Sequence, residues 1–568
     1  MDTSIQRLVT AQGDRPRFDL FRQLPPAPEL VGRDTDIAEL EAALSSGGAV
    51  GAAIFGRHAG LQGMGGVGKT ALAVALAWRL SARFPDPPIF LSLNRAEPRG
   101  RSPLTPVAAM QSIIHCFQPE AALAEEAEAL DPLYRAVLDN AGRGCLLVLD
   151  NASGPEQIAP LLPPPNCRLL VTSRQPINLP GLIPRKLDAL LPVKSSELLM
   201  RLAPRFGGLV GTAAELCGHL PLTLEVLAAI VNRPGLFPLN QLLSRLRTYE
   251  ERLAPVDAAF AASCDLLNPA LFRRWLLLAI FPTSFDLEAA AALWQTTGAA
   301  GNPITPSQPE PDTFPITGDD RSAMQALVEA KLVECHTTAG RYRLHGLAQE
   351  FAISRLTAEE VEPGRLRHAM HYAAVAERMD TLRRASGEQA LQGLAVFDCE
   401  LPNFEAAFDF LLPMCSRRLR PGRSVADLHT ACRQMVRIGG PIAHIGPARL
   451  NRLDRLRWND ALRNAAHETD DDYMEAYALS NLGPVYAEIG KMRHAMECYD
   501  QHIELARDLG DRAGEAAALW NSARLLDKNG ERANAISRAE TALKVCEKIE
   551  FPDVGNVRSQ LKDWRGGR

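Results

Sequence analysis

The chain has 568 residues, too many for one hydrophobic core, so three or four domains are expected. Hydrophobic residues make up 46% of it and charged residues 23%, the balance of a soluble globular protein. Its net charge of −5 excludes a global pull toward nucleic acid or an anionic membrane. The opening "MDTSIQRLVT" lacks the apolar segment of a signal peptide. No apolar run approaches the roughly 20 residues that span a bilayer, so no membrane association is expected. The eleven cysteines are scattered and form no C-x-x-C pair, which argues against a zinc site or a disulfide framework. Cys145 and Cys167 lie in apolar runs and read as core residues, and a reducing, cytoplasmic setting follows.

Residues 1–28 read as a polar tail ending in "LPPAPE", too short for a domain. From Glu29 to about Leu187 strand and helix alternate. "TALAVALAWRLSARF" predicts a helix stopped by "PDPP". "IFLSL", "CLLVLD" and "CRLLVTSR" predict strands and "LYRAVLDNAG" a helix. This alternation predicts a parallel sheet covered on both faces. After Leu187 strands nearly vanish. A helical domain is expected over 188–250, with "LCGHLPLTLEVLAAIV" as one helix. A winged-helix module is expected over 251–357, its hairpin turning near "TTAG" and its interior holding an exposed proline-rich insertion at 295–320. Residues 358–470 read as a helical connector. Over 471–550, "EAYALSNLGPVYAEIGKMRHAMECYD" overlays "EAAALWNSARLLDKNGERANAISRAE" with a shift of forty, placing Asn481 on Asn521, Gly490 on Gly530 and Ala495 on Ala535. Such repeats stack into an all-α solenoid with a concave binding face, and 551–568 remain as a tail. The fold class expected is therefore multidomain: an α/β P-loop domain, a helical domain, a winged helix and a tetratricopeptide-type solenoid.

GMGGVGKT, Gly63 to Thr70, fits G-x-x-x-x-G-K-[ST] between a predicted strand and helix. Glycines let the loop wrap with its N–H groups inward, and the following helix points its positive end at the same spot. Gly63, Gly65, Gly66, Gly68, Lys69, Thr70 and Ala71 form the expected phosphate-binding stretch of an ATP/ADP site. Lys69 would reach the β- and γ-phosphates, and the Thr70 hydroxyl would ligate Mg²⁺. "CLLVLDN" would place Asp150 at the carboxyl edge of the sheet as the second Mg²⁺ ligand. The next position, where many hydrolytic P-loop enzymes carry an acid that activates water, is Asn151. An amide orients water but cannot take its proton, so slow hydrolysis is expected.

In this order the motifs resemble the NB-ARC branch of the STAND signalling ATPases, relatives of apoptosome-forming factors, plant disease-resistance proteins and bacterial regulators with tetratricopeptide repeats. "ELVGRDTDIAEL" resembles the segment that lines the adenine pocket, which implies Val31 and Arg33 as contacts. "LLVTSR" looks like the sensor strand, implying that Arg174 faces the γ-phosphate. "CGHLPL" resembles the G-x-P-L motif, in which Pro221 packs on adenine. "YRLHGLAQEFA" resembles the winged-helix motif whose histidine, here His345, touches the β-phosphate of ADP. Taken alone, Arg174 reads as a strand-end arginine, Pro221 as a first helical residue and His345 as a core histidine on an apolar strand. His58 and His219 read as structural.

The chain departs from the family twice. Gly346 stands where an aspartate is usual, and the 28-residue tail is too short for an effector domain. The resemblance implies an ADP/ATP switch in bacterial regulation or antiviral defence. A protein or peptide trigger would bind the repeats, and ATP would promote homo-oligomer formation. A separate effector would be recruited; Phe18 and Phe21 of the tail either offer a segment for a partner groove or pack back on the ATPase domain. A DNA-binding regulator and a repeat scaffold with a vestigial ATPase are the alternatives. Nucleic acid is not expected as a partner, because the phosphate-contact motif would turn the winged helix inward.

Overall fold

The computed structural model describes residues 24–45, 58–84, 86–97, 100–119, 121, 123–139, 142, 144–233, 238–295, 316–336, 340–415, 424–549 and 554–565. The tail with Phe18 and Phe21, the core of the proline-rich insertion and most of the "TTAG" turn lie outside these residues. The chain divides into two compact units, one of residues 1–302, 313–371 and 398–406, the other of 303–312, 372–397 and 407–568.

The first unit opens with helix α1 (Asp34–Ser45), strand β1 (His58–Gln62) and helix α2 (Lys69–Leu80). Strand β2 (Ile89–Ser92) follows, then a small hairpin of β3 (Asn94–Glu97) and β4 (Gly100–Pro103) that the pattern did not foretell. Helices α3 (Pro106–Phe117) and α4 (Ala127–Asp139) lead to β5 (Leu146–Ala152), β6 (Arg168–Ser173) and β7 (Leu182–Lys186). Strands β1, β2, β5, β6 and β7 form one parallel sheet in the order β2-β5-β6-β1-β7. Its central strands read as continuous apolar runs because both faces are covered. Successive side chains of β5 alternate between those faces. Leu147 and Leu149 join Ile113, Ile114, Tyr134 and Leu138 on one side, while Leu146 and Val148 join Leu40, Leu72 and Leu76 on the other. Cys145 and Cys167 are both buried in the first of these cores, as their apolar setting predicted.

Helices α5 (Pro192–Leu202), α6 (Val210–Leu216), α7 (Pro221–Asn232) and α8 (Leu239–Glu250) come next. The winged-helix segment holds α9 (Pro255–Cys264), α10 (Pro269–Leu278), α11 (Leu287–Trp294), α12 (Gly318–Glu329), the hairpin β8 (Glu334–His336) and β9 (Arg341–Arg343), and α13 (Gly346–Ile353). A two-way backbone bridge between Phe285 and Tyr342 adds a third edge to the hairpin. Trp275 is fully buried and donates its indole N–H to Leu332 O at 3.2 Å. The Gln349 amide donates to Phe281 O at 2.7 Å and fixes α13 on the turn after α10. Helices α14 (Ala358–Arg384) and α15 (Glu388–Leu411) contribute residues to both units.

The second unit is all helical. After α16 (Val425–Arg449) come α17 (Arg452–Glu468), α18 (Asp472–Glu488), α19 (Met492–Asp508), α20 (Arg512–Lys528) and α21 (Arg532–Lys548), each 17 residues long. Their starts advance by a constant step of twenty residues, which is half the forty-residue shift seen in the sequence. The turns between them place Gly490, Gly510 and Gly530 in the left-handed region, where a side chain is disfavoured. Asp470 takes the same conformation between α17 and α18. The array therefore begins at α17, one helix earlier than the expected start at 471. Helix α22 (Val554–Arg565) lays Val557, Leu561 and Trp564 over Ala523, Ala535 and Ala539.

Candidate functional site

The loop between β1 and α2 is built around two glycines that no other residue could replace without strain. A side chain on Gly63 would begin 2.5 Å from the Leu187 carbonyl oxygen, and Gly68, the N-cap of α2, has φ of 96°. No side chain caps α2, so its first N–H groups face the loop. The Lys69 amine lies inside the same curve and donates to Gly63 O at 2.7 Å and Met64 O at 2.9 Å. Burial pushes that amine down to about 8, and the Arg174 guanidinium adds to the effect while Asp150 opposes it. An anion at this spot would find a cation and a helix N-terminus already in place.

Asp150 is buried at the carboxyl end of β5. One of its oxygens accepts from the Thr70 hydroxyl at 2.7 Å and from the Thr172 hydroxyl at 2.5 Å. Asn151 does not end the strand but turns within it at φ of 64°, a conformation asparagine tolerates better than most residues. Its N–H donates to Thr172 Oγ1 at 2.9 Å. Thr172 therefore ties Asp150 to Asn151 from the adjacent strand. The sequence did not single it out, although it stands inside "LLVTSR". Thr172→Val keeps the shape but leaves the Asn151 N–H without its acceptor, at a cost of about 1–3 kcal/mol. The expected result is a melting temperature lower by roughly 3–10 °C in calorimetry. An unchanged melting temperature would count against the bridge.

The remaining predicted residues gather around this loop in different ways. Arg33 is buried and its guanidinium donates to Val67 O at 3.0 Å and Asp188 O at 2.8 Å, so it clamps the loop backbone. Val31 is partly buried beside it in sequence. Pro221 is the first residue of α7, and its ring lies 3.8 Å from where a side chain on Gly68 would begin. Leu222 N–H donates to Gly66 O at 3.4 Å. His219 places Nδ1 2.8 Å from the Ser195 hydroxyl. Arg174 follows β6, stays about half exposed, and pairs with Glu350 of α13 at 3.3 Å.

His345 requires a correction. It is not on a strand but is the N-cap of α13, where its Nδ1 accepts from Leu347 N–H at 3.2 Å. Helix formation from Gly346 onward satisfies the backbone better than a longer wing strand would, and the histidine ring takes the role of a capping side chain. The same turn sets the Leu347 side chain 3.0 Å from where a side chain on Gly65 would begin. Leu347 and Glu350 were both missed, since their contacts are made across the fold. Among the described residues no group of three or more His, Cys, Asp or Glu could hold a metal ion. One hydroxyl and one carboxylate suit Mg²⁺, which completes its shell with phosphate oxygens and water.

A tetratricopeptide repeat family model matches residues 478–513, from within α18 to the start of α20. Two proteins called Regulatory protein AfsR are similar to most of the chain. The one from Streptomyces griseus is 27% identical, with 92% of this chain and 57% of that protein covered. The one from Streptomyces coelicolor is 28% identical, with 93% and 57% covered. The chain thus spans a little over half the length of these relatives. A solved structure, the Signal Transduction ATPase with Numerous Domains (STAND) protein PH0952 of Pyrococcus horikoshii with a tetratricopeptide repeat sensor, aligns at a TM-score of 0.41 and 14% identity, covering 94% of this chain and 86% of that one. No helix among the described residues is long and apolar enough to cross a membrane. The chain thus carries a tetratricopeptide repeat at 478–513 and is similar over most of its length to the two AfsR regulatory proteins.

Proposed function

We propose that the chain is an ADP/ATP-dependent signalling switch. The observation that carries this reading is the Lys69, Thr70, Asp150 and Thr172 cluster lying beside two separate helices, α7 through Pro221 against Gly68, and α13 through Leu347 against Gly65 and Glu350 against Arg174. The loop N–H groups and Lys69 would hold the phosphates, and Thr70 with Asp150 would hold Mg²⁺. Val31 and Pro221 would flank the base, with Arg33 shaping the loop behind it. Bound ATP would supply a transferable γ-phosphoryl group that ADP lacks. Arg174 can pair either with Glu350 or with that added charge, so the two nucleotides favour different placements of α13. Turning a mostly closed population mostly open takes about 5.5 kcal/mol of differential binding, so nucleotide and trigger act together.

Asn151 cannot serve as a base, which keeps the ATP-bound form long-lived. The repeats offer a protein or peptide surface. Self-assembly and recruitment of a separate effector complete the reading. The regulatory names of the relatives favour a regulatory pathway over defence. They also keep a DNA-binding regulator as the second reading, distinguished by retention on DNA at moderate salt.

Protein purified from cells is expected to carry ADP, detectable by anion-exchange chromatography after acid release. Steady-state hydrolysis is expected well below the roughly 10 s⁻¹ typical of enzymes. Nucleotide-free protein that takes up neither ADP nor ATP would favour the scaffold alternative. Fast turnover would remove the switch.

A further inference from the structure

The winged-helix hairpin carries an ion pair that none of the motifs above uses. Glu334 of β8 and Arg343 of β9 face each other in register, and Arg343 Nε donates to Glu334 Oε2 at 2.6 Å. The side chains keep 44% and 41% of their surface exposed for Arg343 and Glu334 respectively. The charges around it come from three parts of the first unit. Glu334 holds the Arg343 guanidinium above its ordinary range, and the Asp150 carboxylate of the P-loop domain adds to that pull. Burial works against the ionised Glu334, but Arg343, His345 and Lys331 together keep it below the usual carboxylate range. Glu225 of the helical segment is pushed up by burial and by Glu334, with Lys331 opposing. The chain runs from Arg343 through the His345 cap to Leu347, whose side chain lies against Gly65 of the phosphate loop. A cation is thereby carried on the part of the winged helix that meets that loop.

We infer that Arg343 is a ligand for the terminal phosphates of the bound nucleotide, and that Glu334 orients it while limiting how tightly it binds. This inference rests on the nucleotide reading. An arginine offers a planar fork that fits phosphate oxygens as well as carboxylate oxygens. Glu334 keeps that fork fixed and competes for it, and as an anion it repels phosphate. The two partners therefore act on an anion with opposite sign. A pair that served only the hairpin would behave differently, since either neutralisation removes the same bond and both would act in one direction.

The test uses the full chain as wild type, Arg343→Ala, Arg343→Lys, Glu334→Gln and Lys69→Ala. Dissociation constants for ADP and a non-hydrolysable ATP analogue are measured by titration calorimetry, with melting temperatures of the nucleotide-free proteins alongside. Arg343→Ala is expected to weaken both nucleotides by about tenfold or more, the triphosphate more strongly, and Arg343→Lys by less. Glu334→Gln is expected to tighten both by about three- to tenfold. The melting temperatures report any loss of fold, and Arg343→Lys keeps the test open if Arg343→Ala does not fold. A shift of Arg343→Ala and Glu334→Gln in the same direction would overturn the inference. So would wild-type affinity in Arg343→Ala when Lys69→Ala has lost binding. A wild type that binds neither nucleotide would instead overturn the nucleotide reading beneath it.

Discussion

Lys69→Ala is expected to lower the affinity for ADP and ATP by about 30-fold to a few thousand-fold, corresponding to the 2–5 kcal/mol typical for truncating one partner of a buried charged pair. The amine is buried and already held by two loop carbonyls, Gly63 and Met64, so an incoming phosphate finds it fixed in place. Alanine removes the charge and leaves those two carbonyls without their donor. Burial and the nearby Arg174 have both made the isolated amine less basic. The same environment strengthens its pairing with an anion, because little water intervenes. Fluorescent-nucleotide titration and the ADP content of the purified protein read the effect. An affinity within a few-fold of wild type, in a variant that melts normally, would remove Lys69 from the site.

The second large effect is expected in the helical repeats. Gly483→Val should lower the melting temperature of the helical repeats by roughly 3–10 °C, as overpacking of about 1–3 kcal/mol predicts. A side chain at Gly483 in α18 would run into the ring of the buried Tyr499 in α19. One repeat later the corresponding positions are Ala523 and Ala539, both fully buried. There a small partner leaves room for a methyl group, whereas here a large ring requires none. The two positions compensate in volume. Tyr499→Ala should therefore offset part of the Gly483→Val loss, and a double-mutant cycle measures by how much. Strict additivity would mean that the two residues do not share one packing site.

The glycine-rich turn between β1 and α2 was legible because its signal is local: the glycines, the lysine and the threonine follow one another in sequence. Asp150 was legible because an apolar strand delivers its final acid to the sheet edge. Thr172, Leu347 and Glu350 were not, because the contact of each is with a residue distant in sequence. Arg33 shows a third case. The sequence marks it as a contact of the adenine pocket, and in the structure its guanidinium is engaged by Val67 and Asp188 carbonyls that no motif specifies. His345 was misplaced because "YRLH" alternates like a strand, while the helix that begins at Gly346 depends on where α13 packs. In the repeats, the forty-residue shift found the helices whose sequences still match. It missed α17, where only the length and the left-handed turn residue persist, and there the residue is Asp470 instead of glycine.

The constant step of those helices has a consequence for how such a chain can change over generations. Recombination between neighbouring repeats in the gene would add or delete one whole helix pair while preserving both the reading frame and the packing phase. Insertion of a single residue inside a helix would instead rotate everything after it out of contact. Change in this array should therefore move in whole modules. The number of helices in the array could then grow or shrink while the packing of each on its neighbours is kept.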